Sequence, residues 1–384
     1  MKIVGIIAEF NPMHNGHQYL IKKAKELTGA DYAICLMSGN FTQAGNIALT
    51  NKFNRATTAI KNGFDAVIEL PTIYATASAE FFAYGAVNIL NSLNCIDYLC
   101  FGSETGDVDI LINIAHKLIK NEENIWESIT ISLKEGISFA KAREYAISKF
   151  LTQSEVEISS SSNNILAIEY IKSLIKLNSN ITPIAIKREE NTEYLSATKL
   201  REKLKNNEDV SKYILDKNIG TNLEFNDNMY KIIKYKLVSS SKEYLQEING
   251  ITEGIENKLI QEINNSDTFD NFIQNVKSKR YQLSKIKRIL ISILLDITKA
   301  DFQTLNTNEN QYAHIIAILP KSKNELLSIL NNSSSIPIIT SLNDKKIDTL
   351  DSTIASSLKL DIRATNIYSA ISNQDINKDY TNKL

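Results

Sequence analysis

The sequence has few cysteines, almost no net charge and no long apolar run. Its three cysteines (Cys35, Cys95 and Cys100) are too few for a disulfide framework and lack the paired spacing of a metal site. The 43 Lys and Arg residues nearly balance the 44 Asp and Glu residues, which argues against a generally basic nucleic-acid coat but not against a local basic patch. Glu9 and Pro12 interrupt the first apolar run, and no later run is long enough to cross a bilayer. We therefore expect a cytoplasmic protein without a signal peptide or a membrane span.

Glycine is concentrated in the first part of the chain. Ten of the 13 glycines lie between Gly5 and Gly136. Glycine-rich turns between short apolar strands are typical of an α/β layer. Apolar runs that alternate with helical patterns predict a Rossmann-like parallel sheet, covered on both faces, which binds ligands beyond the carboxyl ends of its strands. The expected strands are 3–8, 32–37, 66–70, 98–101 and about 184–187.

The second half of the chain is mostly helical, with its clearest helical periodicity in Leu283–Ile297. Two later apolar runs, Ala313–Leu319 and Ile336–Ile339, are expected to be strands on either side of a helix. The sequence thus predicts an α/β domain over residues 1–206. A mostly helical domain over residues 207–384 would follow, with a small α/β piece at its end.

The strongest functional signal is FNPMHNGH at residues 10–17, which follows the first strand and opens the first helix. A helix N-terminus offers free N–H donors and a partial positive charge, and Gly16 lets the backbone approach a phosphate. His14 and His17 can donate hydrogen bonds to oxygens that gain charge as an α-phosphate is attacked. The alternatives are a pair of helix-capping histidines or a zinc half-site, for which no further ligands stand nearby in the sequence.

HxGH in this position resembles the nucleotidylyltransferase superfamily, whose members are relatives of the class I aminoacyl-tRNA synthetases. A second signature of that superfamily, a Ser/Thr-rich turn followed by arginine, is present as SATKLR at residues 196–201. In the superfamily the first motif holds the triphosphate, and the second closes on it from the opposite side.

A closer resemblance rests on six segments in a fixed order. They are GIIAEFNPMHNGH, MSGNFTQAG, ELPT with SAEFFAYGAV, DYLCFGSE, NNILAIEYIK and IKRE followed by SATKLR. Together they are similar to the bacterial tRNA(Met) cytidine acetate ligase family. The segments span most of Val4 to Arg201, and the second half is similar in its helical character and in its ending, IPIIT followed by ATNIYS.

The resemblance implies an ATP-dependent ligase that works in two steps. Acetate attacks the α-phosphate of ATP, with Mg²⁺ accompanying the nucleotide, and gives acetyl-adenylate and pyrophosphate. The exocyclic amine of the wobble cytidine of elongator tRNA(Met) then takes the acetyl group, forming N-acetylcytidine. His14 and His17 carry the catalytic roles, and we expect a nearby polyphosphate to favour their protonated, doubly donating form.

The ATP site carries over residue by residue. Its members are Ile7, Ala8, Glu9, Phe10, Asn11, Pro12, Met13, His14, Asn15, Gly16, His17, Gln18, Tyr19 and Leu20, together with Gly102, Asn163, Asn164, Arg188, Ser196, Thr198 and Arg201. On spacing alone, Gly102 is nearly as consistent with a left-handed turn, and the two asparagines are more consistent with a helix cap than with adenine recognition. Glu9 receives no catalytic role, and we predict no protein metal site.

Recognition of an anticodon loop needs cations for the RNA backbone and pockets for splayed bases. Two basic runs on either side of Tyr281 supply candidates, and the aromatic ring could stack on a base. The predicted tRNA-binding residues are Lys277, Lys279, Arg280, Lys285, Lys287 and Arg288. The alternative is the solvated face of an amphipathic helix.

The chain departs from the family pattern at three places. Family members usually carry arginine in the loop where this chain has Gln43-Ala44-Gly45, and proline where it has Ser162. The segment 189–195 also lacks the glycine and histidine that are common there. Two other functions use part of the same signal: a small-molecule adenylyltransferase, and a tRNA-binding protein with a vestigial nucleotide fold, which Ala44 makes conceivable. No membrane or protein partner is predicted.

Overall fold

The computed structural model describes residues 1–189, 194–216, 219, 224–278, 281–307, 311–382 and 384. One seven-stranded sheet has the order β5-β4-β1-β2-β3-β6-β7. Its strands are β1 (Ile3–Ala8), β2 (Tyr32–Ser38), β3 (Ala66–Leu70), β4 (Tyr98–Ser103), β5 (Thr182–Lys187), β6 (Ala313–Ile318) and β7 (Ile338–Ile339). The first five strands are mutually parallel, which confirms the predicted α/β fold.

Helices connect and cover the strands. Those of the first half are α1 (Asn15–Thr28), α2 (Lys52–Lys61), α3 (Thr72–Ala75), α4 (Ala79–Ser92), α5 (Val108–Lys120), α6 (Glu122–Lys134), α7 (Phe139–Ser148), α8 (Gln153–Ile158), α9 (Ser162–Lys176) and α10 (Ala197–Lys205). Those of the second half are α11 (Glu224–Ser239), α12 (Lys242–Glu247), α13 (Ile255–Asn264), α14 (Phe269–Val276), α15 (Leu283–Leu295), α16 (Lys299–Leu305), α17 (Lys323–Ser333), α18 (Asp344–Ile347), α19 (Ser352–Ile371) and α20 (Lys378–Thr381). Within the described ranges, no helix combines the length and hydrophobicity needed to cross a membrane.

The strand β1 shows why both faces of the sheet are covered. Ile3 belongs to one apolar cluster, which includes Leu90 of α4, whereas Val4 and Ile6 belong to another, which includes Ile21 of α1. Successive side chains of a strand point to opposite faces, so an almost uninterrupted apolar run needs a helical layer on each side. The helices α1 and α4 therefore bracket the strand that leads into the FNPMHNGH segment.

The two C-terminal strands extend this sheet and do not form a separate piece. The strand β6 pairs antiparallel with β3, and β7 pairs parallel with β6. The division into domains at 1–206 and 207–384 stays a prediction. Strands from both sides of this division nevertheless belong to one hydrogen-bonded sheet. The physical reason is that β3 would otherwise expose an unpaired edge of the sheet.

A buried layer of charged groups lies beneath the carboxyl ends of β1 and β2. The guanidinium of Arg55, on α2, donates to four carbonyl oxygens that lie at or just after the ends of these strands and just before α2. The acceptors are Glu9 O at 2.6 Å, Thr50 O at 3.0 Å, Ser38 O at 3.1 Å and Gly39 O. Because a guanidinium only donates, one side chain satisfies carbonyls from three chain segments that would otherwise be buried without partners.

One turn earlier on α2, the fully buried Lys52 ammonium holds three carboxylate oxygens. Its Nζ lies 2.8 and 2.7 Å from the two oxygens of Glu69 and 2.7 Å from Asp379 Oδ1. His314 Nδ1 lies 3.1 Å from Glu69 Oε2. Glu69, His314 and Asp379 form the one set of histidine and carboxylate groups, among the described residues, that is close enough to hold a metal ion. The Lys52 ammonium already supplies a positive charge to both carboxylates.

We expect Lys52→Met to lower the free energy of unfolding by about 3–5 kcal/mol, because it leaves Glu69 and Asp379 buried without their counter-charge. Urea denaturation monitored by circular dichroism measures the change. Lys61→Met, at an exposed position at the end of the same helix, is the matched control and should stay within about 0.5 kcal/mol of the parent. Equal stability of the two variants would contradict the role given to the buried ion pair.

Candidate active site

Two histidines cap the start of α1, and the ring of each one accepts a backbone N–H of this turn. The His14 ring accepts the Gly16 N–H through Nδ1 at 3.1 Å. The His17 ring accepts the His14 N–H through its own Nδ1 at 3.2 Å, which completes a reciprocal capping box. The two rings lie 3.9 Å apart between centroids. Both histidines therefore cap the helix through Nδ1, as the alternative considered for the sequence expected. Both Nε2 atoms are left for a ligand.

This geometry sets the protonation state of the pair. Since each Nδ1 accepts an N–H, each neutral ring carries its proton on Nε2 and is a single donor. Burial, followed by the charges of Arg188 and Arg201, lowers the pKa of His14 to about 4. Burial and the neighbouring His14 hold the pKa of His17 well below its ordinary value. The doubly donating form predicted from the sequence is wrong for this arrangement, because a proton on Nδ1 would face a backbone N–H.

Gly16 makes room for the His14 ring. A Cβ atom at this position would lie 2.9 Å from His14 Cε1 and 3.1 Å from Nδ1, closer than side chains normally approach. The glycine of HxGH therefore allows the first histidine to cap the helix. Close approach of the Gly16 backbone to a phosphate, which we inferred from the sequence, stays a prediction.

The second motif contacts the first one directly. Ser196 is the N-cap of α10, and its hydroxyl accepts the Lys199 N–H at 3.3 Å. Arg201 donates to Asn11 O at 2.7 Å and to Thr198 Oγ1 at 3.1 Å. The two signatures, nearly two hundred residues apart in sequence, thus meet around one backbone carbonyl, and the Arg201 guanidinium lies close enough to affect the pKa of His14.

A further segment that the sequence did not reveal also holds the turn. Asn15 N donates to Tyr213 O at 2.9 Å, and Leu215 N donates to Met13 O at 3.0 Å. The Asn15 side chain donates to Lys212 O at 3.0 Å. Because these contacts use backbone groups of residues 212–215, no side-chain pattern could have announced them.

The strand ends of β4 and β5 carry Gly102 and Arg188. Gly102 lies inside β4 and has no positive φ, so the left-handed-turn alternative is wrong. A Cβ atom on Gly102 would lie 3.4 Å from Arg188 Cγ, so the stem of the arginine passes over the glycine. Arg188 N donates to Ser103 O at 2.9 Å, and the side chain donates to Asn163 Oδ1 at 3.1 Å.

The two asparagines have different surroundings, and neither is the N-cap of α9, which is Ser161. Asn164 is buried; its Oδ1 accepts from Ser103 Oγ at 2.8 Å and from Glu104 N at 3.0 Å, and its amide donates to Ile158 O at 3.1 Å. Its side chain is thus committed to joining β4 to α9. Asn163 is partly buried in the same turn and contacts Arg188.

The remaining predicted residues of the first motif are divided between core and surface. Ala8, Phe10, Met13, Asn11 and Pro12 are buried, and Ile7 and Leu20 are partly buried. Asn11 Oδ1 accepts the Leu49 N–H at 2.9 Å. Gln18 donates to Asn62 at 3.2 Å, and the Tyr19 ring lies 5.7 Å from that of Tyr194. Among the described residues, the groups that converge with donors available for an anion are His14, His17, Arg188 and Arg201.

Comparisons with known proteins agree with this geometry. The family model described as HIGH Nucleotidyl Transferase matches residues 1–383. The tRNA(Met) cytidine acetate ligase of Clostridium perfringens is 41% identical over 99% of this chain and 98% of its own length. That of Clostridium novyi is 37% identical over 99% and 97%. The crystal structure of Thermotoga maritima TmcAL bound with alpha-thio ATP superposes with a TM-score of 0.88 at 32% identity, covering 97% of this chain and 95% of that chain.

The chain belongs to the tRNA(Met) cytidine acetate ligase family.

Two departures from the family pattern acquire a structural meaning. Ser162 is the first residue of α9, a position where proline is well tolerated because its missing N–H has no partner inside the helix. Proline in other members and serine here are therefore both compatible with the same helix start. Of the segment 189–195, residues 190–193 lie outside the described residues.

The loop that lacks the family's arginine packs on the start of α15. Lys287 Nζ donates to Asn46 Oδ1 at 2.9 Å, and Arg288 donates to Gln43 O at 3.3 Å. Gly45, at a φ of 77°, lies so close that a Cβ atom there would be 2.5 Å from Lys287 Cβ. Lys287 and Arg288, from the second basic run, thus hold this loop in place. Side chains of an ordinary solvated surface would not make such contacts.

The same loop contacts Glu9, next to the HxGH turn. Gln43 N donates to Glu9 Oε1 at 2.7 Å. Burial raises the pKa of the Glu9 carboxyl, and the Gln43 N–H, Arg201 and Arg55 oppose that rise only in part. A chain of contacts therefore runs from α15 through Gln43 to the end of β1.

The predicted tRNA residues are not arranged around a stacking tyrosine. Tyr281 is buried, and its hydroxyl donates to Thr252 O, so the prediction that its ring stacks on a base is wrong. Lys285 Nζ lies 4.5 Å from the centroid of that ring. Lys277 is exposed at the end of α14, whereas Lys279 and Arg280 lie outside the described residues.

The lowered pKa of His14 predicts a pH dependence of stability. Between its ordinary pKa of 6.5 and about 4, the unfolded chain binds a proton that the folded chain excludes, so the free energy of unfolding falls as the pH falls through that interval. A shift of this size corresponds to at most about 3 kcal/mol. His14→Asn keeps a capping acceptor but cannot titrate, so its unfolding free energy should fall less between pH 6.5 and 4 than that of the parent. Urea denaturation measures the unfolding free energy of both proteins across this pH interval. An equal fall in the two proteins would contradict the neutral, buried state of His14.

Proposed function

We propose that this chain makes acetyl-adenylate from acetate and ATP and transfers the acetyl group to the wobble cytidine of elongator tRNA(Met). The observation that carries the proposal is the convergence of two Nε2 donors and two guanidinium groups at the start of α1, in a chain of this family. In the first step an acetate oxygen bonds to the α-phosphorus, and the bond to the pyrophosphate oxygen breaks. In the second, the exocyclic amine bonds to the acetyl carbon, loses a proton, and releases AMP.

The first step needs positioning and charge stabilisation and no strong base, because acetate is already an anion. His14 and His17 donate directional hydrogen bonds without carrying charge. Arg188 and Arg201 supply permanent positive charge, since guanidinium groups do not titrate in the physiological range. The N-terminus of α1 adds its partial charge on the same side. This division of roles suits a phosphate that gains charge as pyrophosphate leaves.

Magnesium would enter with the nucleotide. Mg²⁺ keeps several waters and binds substrate phosphates, with one or two carboxylates at most. Glu9 is the carboxylate beside the HxGH turn, and one of its oxygens already accepts the Gln43 N–H. The residues present therefore fit an ion carried mainly by the phosphates of ATP, whose chemistry is to neutralise part of their charge.

For the tRNA, the surface around the start of α15 and the end of α14 is the best-supported candidate. Lys277 is exposed there, and Lys285, Lys287 and Arg288 lie on the first turns of α15. Arg201 and Lys287 are close enough for the arginine's charge to lower the pKa of the lysine, although burial is the larger cause. RNA bound at this surface would therefore lie beside the ATP site, as the second step requires.

We expect His17→Asn to reduce acetate-dependent ATP–pyrophosphate exchange by about 10²–10³, the usual cost of removing one donor to a developing charge. Asparagine offers an acceptor near the position of Nδ1, so the cap on His14 N–H and the thermal stability should be kept. His17→Gln, which places an N–H near the position of Nε2 instead, should retain more exchange than His17→Asn.

Synthetic acetyl-adenylate should restore tRNA acetylation by His17→Asn in part, because the second step no longer needs the phosphate to be activated. Full exchange by a folded His17→Asn protein would overturn the role of the motif. Exchange that proceeds equally well without acetate would instead favour a small-molecule adenylyltransferase.

Neutralising Lys277 should weaken tRNA binding and reduce the slope of log K against log salt by about 0.7–0.9, as expected for one lost phosphate contact. Filter binding of Lys277→Gln across a salt series measures both, and exchange should be unchanged because Lys277 does not touch the loop at 43–46. Lys287→Gln should lower exchange as well, since it loses the contact with Asn46. Lys120→Gln, an exposed change on α5, is the control. A parental salt slope for Lys277→Gln would show that the run is an ordinary solvated surface.

A further inference from the structure

Glu104 follows β4 directly and uses both of its carboxylate oxygens. Oε2 accepts from Ser161 Oγ at 2.8 Å and from Asn164 N at 3.0 Å, so this oxygen caps the start of α9. Oε1 accepts from Asn163 Nδ2 at 2.6 Å. The two oxygens thus have separate tasks: one stabilises a helix end, and the other contacts a side chain that faces the candidate ATP site.

The amide of Asn163 can take only one orientation in this setting. A carboxylate accepts hydrogen bonds and a guanidinium donates them. Asn163 lies between the two, with Nδ2 on Glu104 Oε1 and Oδ1 accepting from Arg188 at 3.1 Å. Rotating the amide by 180° would place its oxygen against the carboxylate and its N–H groups against the guanidinium. The charge of Glu104 therefore determines which atom Asn163 presents to Arg188.

Arg188 is held at its other end by backbone and by contact with Gly102. Its N–H donates to Ser103 O at 2.9 Å, and its stem crosses Gly102. Within the described part of the chain, the guanidinium itself donates to Asn163, and this contact directs the charged end of an exposed side chain. Without it the guanidinium would sample several rotamers, at an entropic cost whenever a phosphate binds.

We propose that Glu104 is a positioning residue of the ATP site, which acts through the Asn163 amide to hold the Arg188 guanidinium ready for phosphate. The inference rests on the proposed role of Arg188 in binding ATP. A neutral amide between Glu104 and Arg188 has a chemical advantage, because a carboxylate bound directly to the guanidinium would compete with the phosphate for its donors. The relay orients Arg188 and leaves its charge to the nucleotide.

Glu104→Gln separates the two tasks of the carboxylate. The glutamine oxygen can still accept from Ser161 and Asn164, so the cap on α9 is kept. Its amide nitrogen then faces Asn163, which must turn its oxygen toward that nitrogen and present N–H groups to Arg188. We expect the KM for ATP in the exchange assay to rise about 10-fold, which corresponds to ~1.4 kcal/mol. The kcat should stay within about 2-fold, and the melting temperature should stay near that of the parent.

A double-mutant cycle tests whether Glu104 acts through Asn163. Asn163→Ala alone should raise the KM for ATP by a similar factor, and adding Glu104→Gln to it should have no further effect. Ser161→Ala is the matched control, because it removes a hydrogen bond from the other oxygen of the same carboxylate. It should lower the melting temperature slightly and leave the KM for ATP unchanged.

Three results would overturn the inference, and they point to different faults. An unchanged KM in Glu104→Gln, with a raised KM in Arg188→Ala, would show that Glu104 only caps α9, and the proposed function would stand. A further rise in KM on the Asn163→Ala background would show that Glu104 acts by another route. An unchanged KM in Arg188→Ala, in an enzyme with normal acetate-dependent exchange, would remove Arg188 from the ATP site and the relay with it.

Discussion

The candidate site depends on the buried guanidinium of Arg55. Parallel strands that end together, and the loops that follow them, bring backbone carbonyls to one edge of the sheet. A site that binds phosphate at this edge needs positive charge instead. Arg55 donates to carbonyls at or just after the ends of β1 and β2 and to one that precedes α2. It therefore satisfies those acceptors and brings a permanent charge beneath the turn that leads to His14. The four hydrogen bonds that Arg55 makes within the described residues all go to the backbone. The positive groups that we propose for the nucleotide, Arg188 and Arg201, come from later segments of the chain.

A buried cation has to be compensated, and the compensation links the C-terminal part of the chain to the site. Glu9, Glu69 and Asp216 all favour the charged form of Arg55, against the burial that lowers its pKa. On the preceding turn of α2, Lys52 joins Glu69 to Asp379 of α20. The short C-terminal helix thus carries a counter-charge into the layer that supports β1 and β2. This ion pair ties α20 to the main sheet, in addition to the pairing of β6 with the edge of β3, and no local pattern could reveal it.

Patterns within a few residues predicted the parts of the structure that local forces decide. The alternation of apolar runs and helices gave β1 to β5, and HxGH gave the start of α1, because strand, turn and cap are all short-range features. Such patterns could not predict how a side chain is oriented. Whether His14 uses Nδ1 for the helix or for a ligand depends on ring geometry, and the different roles of Asn163 and Asn164 depend on Glu104, about sixty residues earlier. The packing of Lys287 on Asn46 joins residues 241 positions apart.

The neutral state of the histidines explains why arginines from other segments are needed. Two imidazolium rings with centroids 3.9 Å apart would repel each other, and each Nδ1 is already committed to a backbone N–H. The pair can therefore direct hydrogen bonds at a phosphate but cannot supply its counter-charge. In the proposed function Arg188 and Arg201 supply that charge, and both arginines lower the pKa of His14 further after burial has lowered it. The two kinds of group are thus compatible: burial first and the arginine charges after it favour the neutral imidazoles. Neutral imidazoles can lie close together without repelling the cations beside them.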